Sequence, residues 1–176
     1  MFILWMLLGL VPGEGELVSG PQPGKKYGSY TFLMATGPHR GTSHCYVCDT
    51  GEDPAVIILA RSRSDALGEL IQQLDQESAK PENKHLKSWV TFVGMKQPVE
   101  EEKLVAWTRQ LGIRRIPVGI YEPAAGPPGY RLHSQADVTV LLVRSGIVKH
   151  NYAFAPERLT TTEVQKMMQQ IKTLPR

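Results

Sequence analysis

Six consecutive apolar residues, Ala55-Val56-Ile57-Ile58-Leu59-Ala60, constrain this chain more than any other stretch. A run so short and so rich in β-branched side chains fits a central strand buried on both faces, the kind found in sheets with helices packed on either side. An amphipathic helix follows at once. Ser64 suits its N-cap and Asp65 its first turn. Leu67, Leu70, Ile71 and Leu74 recur at i, i+3, i+4 and i+7 and form one apolar stripe. The polar stretch Gln76 to Lys84 ends it.

The rest of the chain alternates in the same way. Tyr30 to Ala35 reads as a short first strand, and Asp49 to Pro54 as turn chemistry leading into the apolar run. Ser88 to Val93 is the next strand. Pro98 suits the first position of a helix whose positive end is complemented by Glu100, Glu101 and Glu102. Leu104, Trp107 and Leu111 give that helix its buried stripe, and Gly112 is its stop. Ile116 to Tyr121 is a further strand, followed by a Pro-rich loop over Glu122 to Tyr130. Val138 to Val143, the turn Arg144-Ser145-Gly146 and Ile147 to Tyr152 read as a β-hairpin. Thr160 and Glu163 match a capping box, with Leu159 and Val164 as the hydrophobic staple. Val164, Met167, Met168, Ile171 and Leu174 form the buried face of the last helix, where the two methionines are core packing. This order predicts an α/β fold with a mostly parallel central sheet, a C-terminal β-hairpin and helices on both faces.

Both cysteines of the chain lie just before the apolar run, in Gly41-Thr42-Ser43-His44-Cys45-Tyr46-Val47-Cys48-Asp49. Two intervening residues let the sulfurs meet in a small ring, and a Cys-x-x-Cys pair beside a buried strand points to thiol redox chemistry. Neither cysteine is placed to cap a predicted helix, so a thiolate would draw on His44, His39 or Arg40 for stabilisation. Cys45 is the expected nucleophile, with His44 beside it and Cys48 as the resolving thiol. The same residues admit a structural disulfide that pins the loop to the sheet, or two ordinary reduced cysteines. They also admit a copper or zinc site using His39 and His44, to which His85, His133 or His150 could contribute. No residue is assigned to a metal, and no motif calls for a bound cofactor.

A chain of 176 residues suffices for one domain with a sizeable core. Its net charge of +3, with His neutral, comes without any Lys/Arg block, which argues against nucleic-acid binding. Phe2 to Val11 is almost wholly apolar but far too short to span a bilayer as a helix. Its length suits the apolar region of a signal peptide, although no Lys or Arg precedes it. Residues 1–20 are therefore set aside as a leader, with Val18-Ser19-Gly20 as its small-residue site, and residues 21–176 as the domain. A buried N-terminal segment or a misassigned start is the competing reading. Export to the periplasm or beyond would favour an oxidised cysteine pair; otherwise the chain is cytoplasmic.

The order of elements resembles the thioredoxin-like superfamily, in its peroxiredoxin (alkyl hydroperoxide reductase/thiol-specific antioxidant) branch, over roughly residues 21–174. Ala55 to Leu74 looks like the family's first core strand and helix, Val138 to Val148 like its strand-turn-strand, and Thr160 to Leu174 like its final helix. Ser19-Gly20-Pro21-Gln22, Cys45-Tyr46-x-Cys48, Ala60-Arg61 and Gly126-Pro127 are also similar to a group of bacterial thioredoxin-like proteins. The resemblance implies a thioredoxin-like fold and a protein thiol or disulfide as partner, with no stable membrane span. The catalytic motifs depart from it. The family's attacking cysteine lies at the turn that is Arg61-Ser62-Arg63-Ser64 here, and its cis-proline precedes a strand matched here by Thr139 without a proline. Ile116-Pro117 resembles the family's Ile-Pro locally. The leading expectation is a thiol–disulfide redox protein, or a peroxiredoxin-like antioxidant, using Cys45, Cys48 and His44. The alternatives are a non-catalytic binding module with a structural disulfide, or a copper or zinc handler.

Overall fold

The computed structural model describes residues 17–95 and 99–174. The apolar run Phe2 to Val11 and the helix start expected at Pro98 lie outside the described residues. The elements are β1 (Phe32–Met34), β2 (Ser43–His44), α1 (Tyr46–Thr50), β3 (Ala55–Ala60), α2 (Asp65–Ser78), a 3-10 turn (Pro81–Asn83), β4 (Lys87–Val93), α3 (Val99–Gln110), β5 (Val118–Tyr121), β6 (Val138–Arg144), β7 (Ile147–Phe154) and α4 (Thr161–Thr173). The strands form one seven-stranded sheet in the order β2-β1-β5-β4-β3-β6-β7.

All six residues of β3 are buried, as a strand covered on both faces requires. Val56, Ile58 and Ala60 face a core built with α2, α3 and α4, whereas Ala55, Ile57 and Leu59 face a second core. That second core is closed by Tyr46 and Val47 of α1, by Tyr27 and Tyr30 of the N-terminal segment, and by Tyr130 and Leu132 of the Pro-rich loop. Helices thus lie on both faces, but unequally: the three long ones share one side.

The expectation of a mostly parallel sheet is corrected. Only β3–β4 and β4–β5 are parallel, while β1–β2, β1–β5, β3–β6 and β6–β7 are antiparallel. Helical crossovers keep the central three strands parallel. The connection from β5 to β6 has no helix. It stays at the carboxyl end of the sheet, where Arg61 N–H donates to Asp137 O at 2.8 Å, so β6 starts beside the end of β3 and runs back.

The local signals for α2 and α4 are realised. Ser64 Oγ accepts from Leu67 N–H at 3.2 Å, and Thr160 Oγ1 accepts from Glu163 N–H at 3.3 Å. Glu163 does not complete the capping box; its carboxylate takes Lys166 Nζ at 2.6 Å instead. Met167 and Met168 are buried in the core, as expected of packing residues. Asp75, on the inner side of α2, accepts from the backbone N–H groups of Arg114, Arg115 and Ile116 at 3.1, 2.6 and 3.1 Å. One carboxylate oxygen thereby fixes the entry into β5.

The first described residues are tied to the sheet. Ser19 is buried, its hydroxyl 2.8 Å from Thr139 Oγ1, and it accepts from His133 N–H at 3.1 Å. Asn151 Nδ2 donates to the carbonyls of Ser19 and Pro21, both at 2.8 Å. The boundary expected after Gly20 falls inside this clasp.

Candidate functional site

The cysteines are delivered by the β1–β2 hairpin at the sheet edge. Phe32 pairs with His44 and Leu33 with Ser43 on one side of β1, and Leu33 pairs with Ile120 on the other. β1 can lie this close to β5 because position 119 is glycine: a Cβ there would collide with the Leu33 carbonyl and press on the Phe32 ring. β2 was not expected as a strand, since two residues with exposed flanks show no periodicity.

Cys45 and Cys48 form a disulfide, with Cα atoms 5.3 Å apart. Contrary to expectation, Cys45 caps a helix, the five-residue α1. Its Sγ accepts from Cys48 N–H at 3.2 Å, and its carbonyl accepts from the same group at 3.1 Å. The sulfur that leads the pair thus already has a hydrogen-bond donor, which favours its thiolate once the bridge is reduced. Cys45 is half-buried and Cys48 exposed.

His44 precedes Cys45 in the chain and ends β2. Its Nε2 donates to Asp49 Oδ2 at 2.6 Å, and 19% of its side chain is accessible. His39 stacks on it, with ring centroids 3.6 Å apart and planes 8° from parallel. Beneath lies Tyr46, its ring 4.6 Å from His44 and 5.9 Å from Trp89. Burial, and secondarily the Asp49 charge, raises the Tyr46 phenol above its usual pKa. Its hydroxyl is buried and has no hydrogen-bond partner among the described residues. Sequence reasoning missed Asp49, Tyr46 and Trp89. A tyrosine inside the Cys-x-x-Cys pair was the one available signal, because an aromatic there must find a surface to cover.

The histidines named as further metal ligands lie elsewhere. His85 faces Asp53 at 3.7 Å, His133 Nδ1 accepts from Gln135 N–H at 3.1 Å, and His150 stacks on Tyr152. Among the described residues no three His, Cys, Asp or Glu side chains are arranged to hold a metal ion. In the oxidised state shown, both sulfurs are bonded to each other and neither is a thiolate ligand.

The turn after β3 is a separate place. Arg61, Ser62, Arg63, Ser64, Asp65, Met95 and Trp107 line an open cleft of about 440 Å³. Arg61 is not a solvated cation there. Its guanidinium donates to the carbonyls of Ala136, Ala124 and His133 at 2.9, 2.6 and 3.4 Å and fastens the Pro-rich loop. β2 stands four positions from β3 in the sheet, about 19 Å at the usual strand spacing. Thr139 is committed to Ser19, whereas Pro117 lies against Gly37 in the β1–β2 connection, beside the cysteine hairpin.

No family model and no curated protein matches the sequence. Solved structures do match in shape. A candidate protein disulfide isomerase from Bacteroides thetaiotaomicron superposes with a TM-score of 0.68 at 13% identity, covering 91% of this chain and 94% of that one. A candidate thiol:disulfide interchange protein DsbE from Chlorobium tepidum gives a TM-score of 0.63 at 16% identity, covering 88% and 99%. The peroxidoxin BcpB from Mycobacterium tuberculosis gives 0.58 at 10% identity, covering 88% and 99%. The chain has a thioredoxin-like fold, with its cysteine pair beside the edge hairpin and no cysteine at the β3–α2 turn.

Proposed function

We propose that the chain is a thiol–disulfide exchange protein acting through Cys45 and Cys48 on a protein partner. The observation that carries this reading is the hydrogen bond from Cys48 N–H to Cys45 Sγ in a disulfide at the surface. In the reduced chain the Cys45 thiolate attacks a partner disulfide, and one partner sulfur leaves as a thiolate that takes up a proton. The Cys48 thiol loses its proton and its sulfur attacks Cys45 Sγ. The second partner sulfur leaves, and the Cys45–Cys48 bridge is restored; two electrons have passed to the partner. Exposure by itself would favour Cys48 as the attacking group. The N–H donor on Cys45 outweighs it, because exchange depends on the thiolate fraction.

His44, bonded to Asp49, stacked on His39 and next to Cys45 in the chain, is the side chain this reading assigns to proton exchange with these sulfurs. The shape likeness to disulfide isomerase, DsbE and peroxidoxin structures supports the class of chemistry. Among the described residues no helix is long and apolar enough to cross a membrane. The apolar run Phe2 to Val11 supports export to an oxidising compartment as part of this reading.

Trapping tests the reading. Cys48→Ser should accumulate a mixed disulfide between Cys45 and the partner, and Cys45→Ser should accumulate none. Full exchange activity in Cys45→Ala would sink it. A second reading, a structural staple with a docking role, is favoured by the packing of Tyr46 on Trp89 and by the lack of a cysteine at the β3–α2 turn. A bridge that resists all but the strongest reductants would be its signature.

A further inference from the structure

We infer that the partner docks as an added strand on β2 and that an acidic stretch following its reactive cysteine enters a cleft flanked by Arg40 and Arg109. This rests on the exchange reading and names the kind of segment the site accepts.

β2 is the edge of the sheet and runs straight into Cys45. Thr42 O accepts from Met34 N–H at 3.0 Å and Met34 O accepts from Gly41 N–H at 2.8 Å, so Met34 bonds across to a bulge made by Gly41 and Thr42. Antiparallel pairs alternate, so the next pair, Leu33 with Ser43, is of the other type. The N–H and C=O of Ser43 therefore point outward, away from β1, on an exposed residue two positions before the cysteine. An unpaired edge of this kind is a template for an extended segment, with main-chain bonds giving affinity.

The charge at the other end of β2 selects the occupant. Arg40 and Arg109 line an open cleft of about 290 Å³ with Ala35, Thr36, Gly37, Val105, Thr108 and Ile113. No acidic residue lines it. Both arginines are exposed, and neither guanidinium has a hydrogen bond or ion pair with the described residues. Two unpaired guanidiniums over apolar walls fit carboxylates on a short peptide.

The direction of the added strand sets the side from which those carboxylates arrive. A segment running antiparallel to β2, with its cysteine opposite Cys45, places its second following residue opposite Ser43, where β2 begins. Residues four and five after the cysteine then lie past the end of the strand, about 14–17 Å from the cysteine along an extended chain, on the side of the turn that carries Arg40 and Gly41.

The test uses the full chain carrying Cys48→Ser and, in parallel, the reduced wild-type chain, so that no result depends on one variant folding. Ten-residue peptides carry their cysteine as a mixed disulfide with thionitrobenzoate. The Cys45 thiolate attacks the peptide sulfur, the peptide–thionitrobenzoate bond breaks, and coloured thionitrobenzoate leaves. A peptide with Glu at positions four and five after the cysteine should react roughly fivefold to tenfold faster than a neutral one at low salt. High salt should erase that advantage, and Arg40→Gln with Arg109→Gln should reduce the ratio to about one. N-methylation of the second residue after the cysteine should slow the reaction, because it removes the N–H that meets Ser43. Equal rates for acidic and neutral peptides, faster reaction with the acids before the cysteine, or a ratio that survives the arginine substitutions would each overturn the inference. If even the small disulfide of thionitrobenzoate does not react with Cys45, the exchange reading itself has failed.

Discussion

Tyr46, between the two cysteines, lies with its ring 5.9 Å from that of Trp89 and only 22° from parallel. Trp89 is fully buried, and its Nε1 donates at 3.0 Å to the Tyr30 hydroxyl, which lies 2.8 Å from Thr91 Oγ1. The turn that holds the disulfide is thereby seated on the second core of the sheet. Trp89→Ala should destabilise the protein by about 3–5 kcal/mol, the usual cost of removing a large buried aromatic. Trp89→Phe keeps a ring under Tyr46 and loses one hydrogen bond, so about 1 kcal/mol is expected. Urea unfolding of the oxidised chain measures both.

The Tyr46 hydroxyl is buried without a partner among the described residues. A buried polar group that makes no bond costs stability, and removing it leaves no orphan behind. Tyr46→Phe should therefore be neutral or stabilising by up to about 1 kcal/mol. A loss of more than that in the same unfolding assay would show that the hydroxyl has a bond, for instance to water.

Alkaline pH acts on the same core. Burial pushes the Tyr30 phenol up to about 12 from a tyrosine's ordinary 10.0, against the lowering effect of its bonds to Thr91 and Trp89. Burial also holds Tyr130 far above its ordinary value, with the neighbouring Tyr30 and Tyr27 adding to the rise. A raised tyrosine keeps its proton in the folded state after the unfolded chain has lost it. Its stability contribution is complete below about pH 10 and is lost between about pH 10 and pH 12, on the order of 2–3 kcal/mol for Tyr30. Unfolding free energies measured from pH 9 to pH 12 should fall along that window, and Tyr30→Phe should reduce the slope. A flat profile in the wild-type chain would contradict the burial argument.

Asp75 offers one oxygen to three backbone N–H groups, of which the bond to Ile116 is buried. Asp75→Ala removes the acceptor, and water can reach only the outer donors. A loss of about 2 kcal/mol is expected. Faster amide exchange at Ile116 would locate the damage at the entry to β5.

Local signals were legible and long-range ones were not. Ser64, Thr160 and the apolar stripes of α2 and α4 specify their helices within a few residues, so the sequence was enough to place both. The direction of β6 depends on a loop fastened by Arg61 to carbonyls more than sixty residues away, which no periodicity records. Likewise Cys45, Cys48 and His44 could be named from their spacing alone. That Cys45 would cap a helix depended on a hairpin packed against Gly119, a contact between distant segments. Residues Ser19 and Gly20, set aside with the leader, pack against Thr139 and Asn151 because a β-hairpin far along the chain comes to meet them.

The most direct test of the exchange reading is the reduction potential of the Cys45–Cys48 pair, titrated in the full-length, metal-free chain against a glutathione or dithiothreitol buffer. The account predicts a midpoint between about −270 and −120 mV, the range of working oxidoreductases. A midpoint below about −300 mV would contradict it and make the bridge a structural staple.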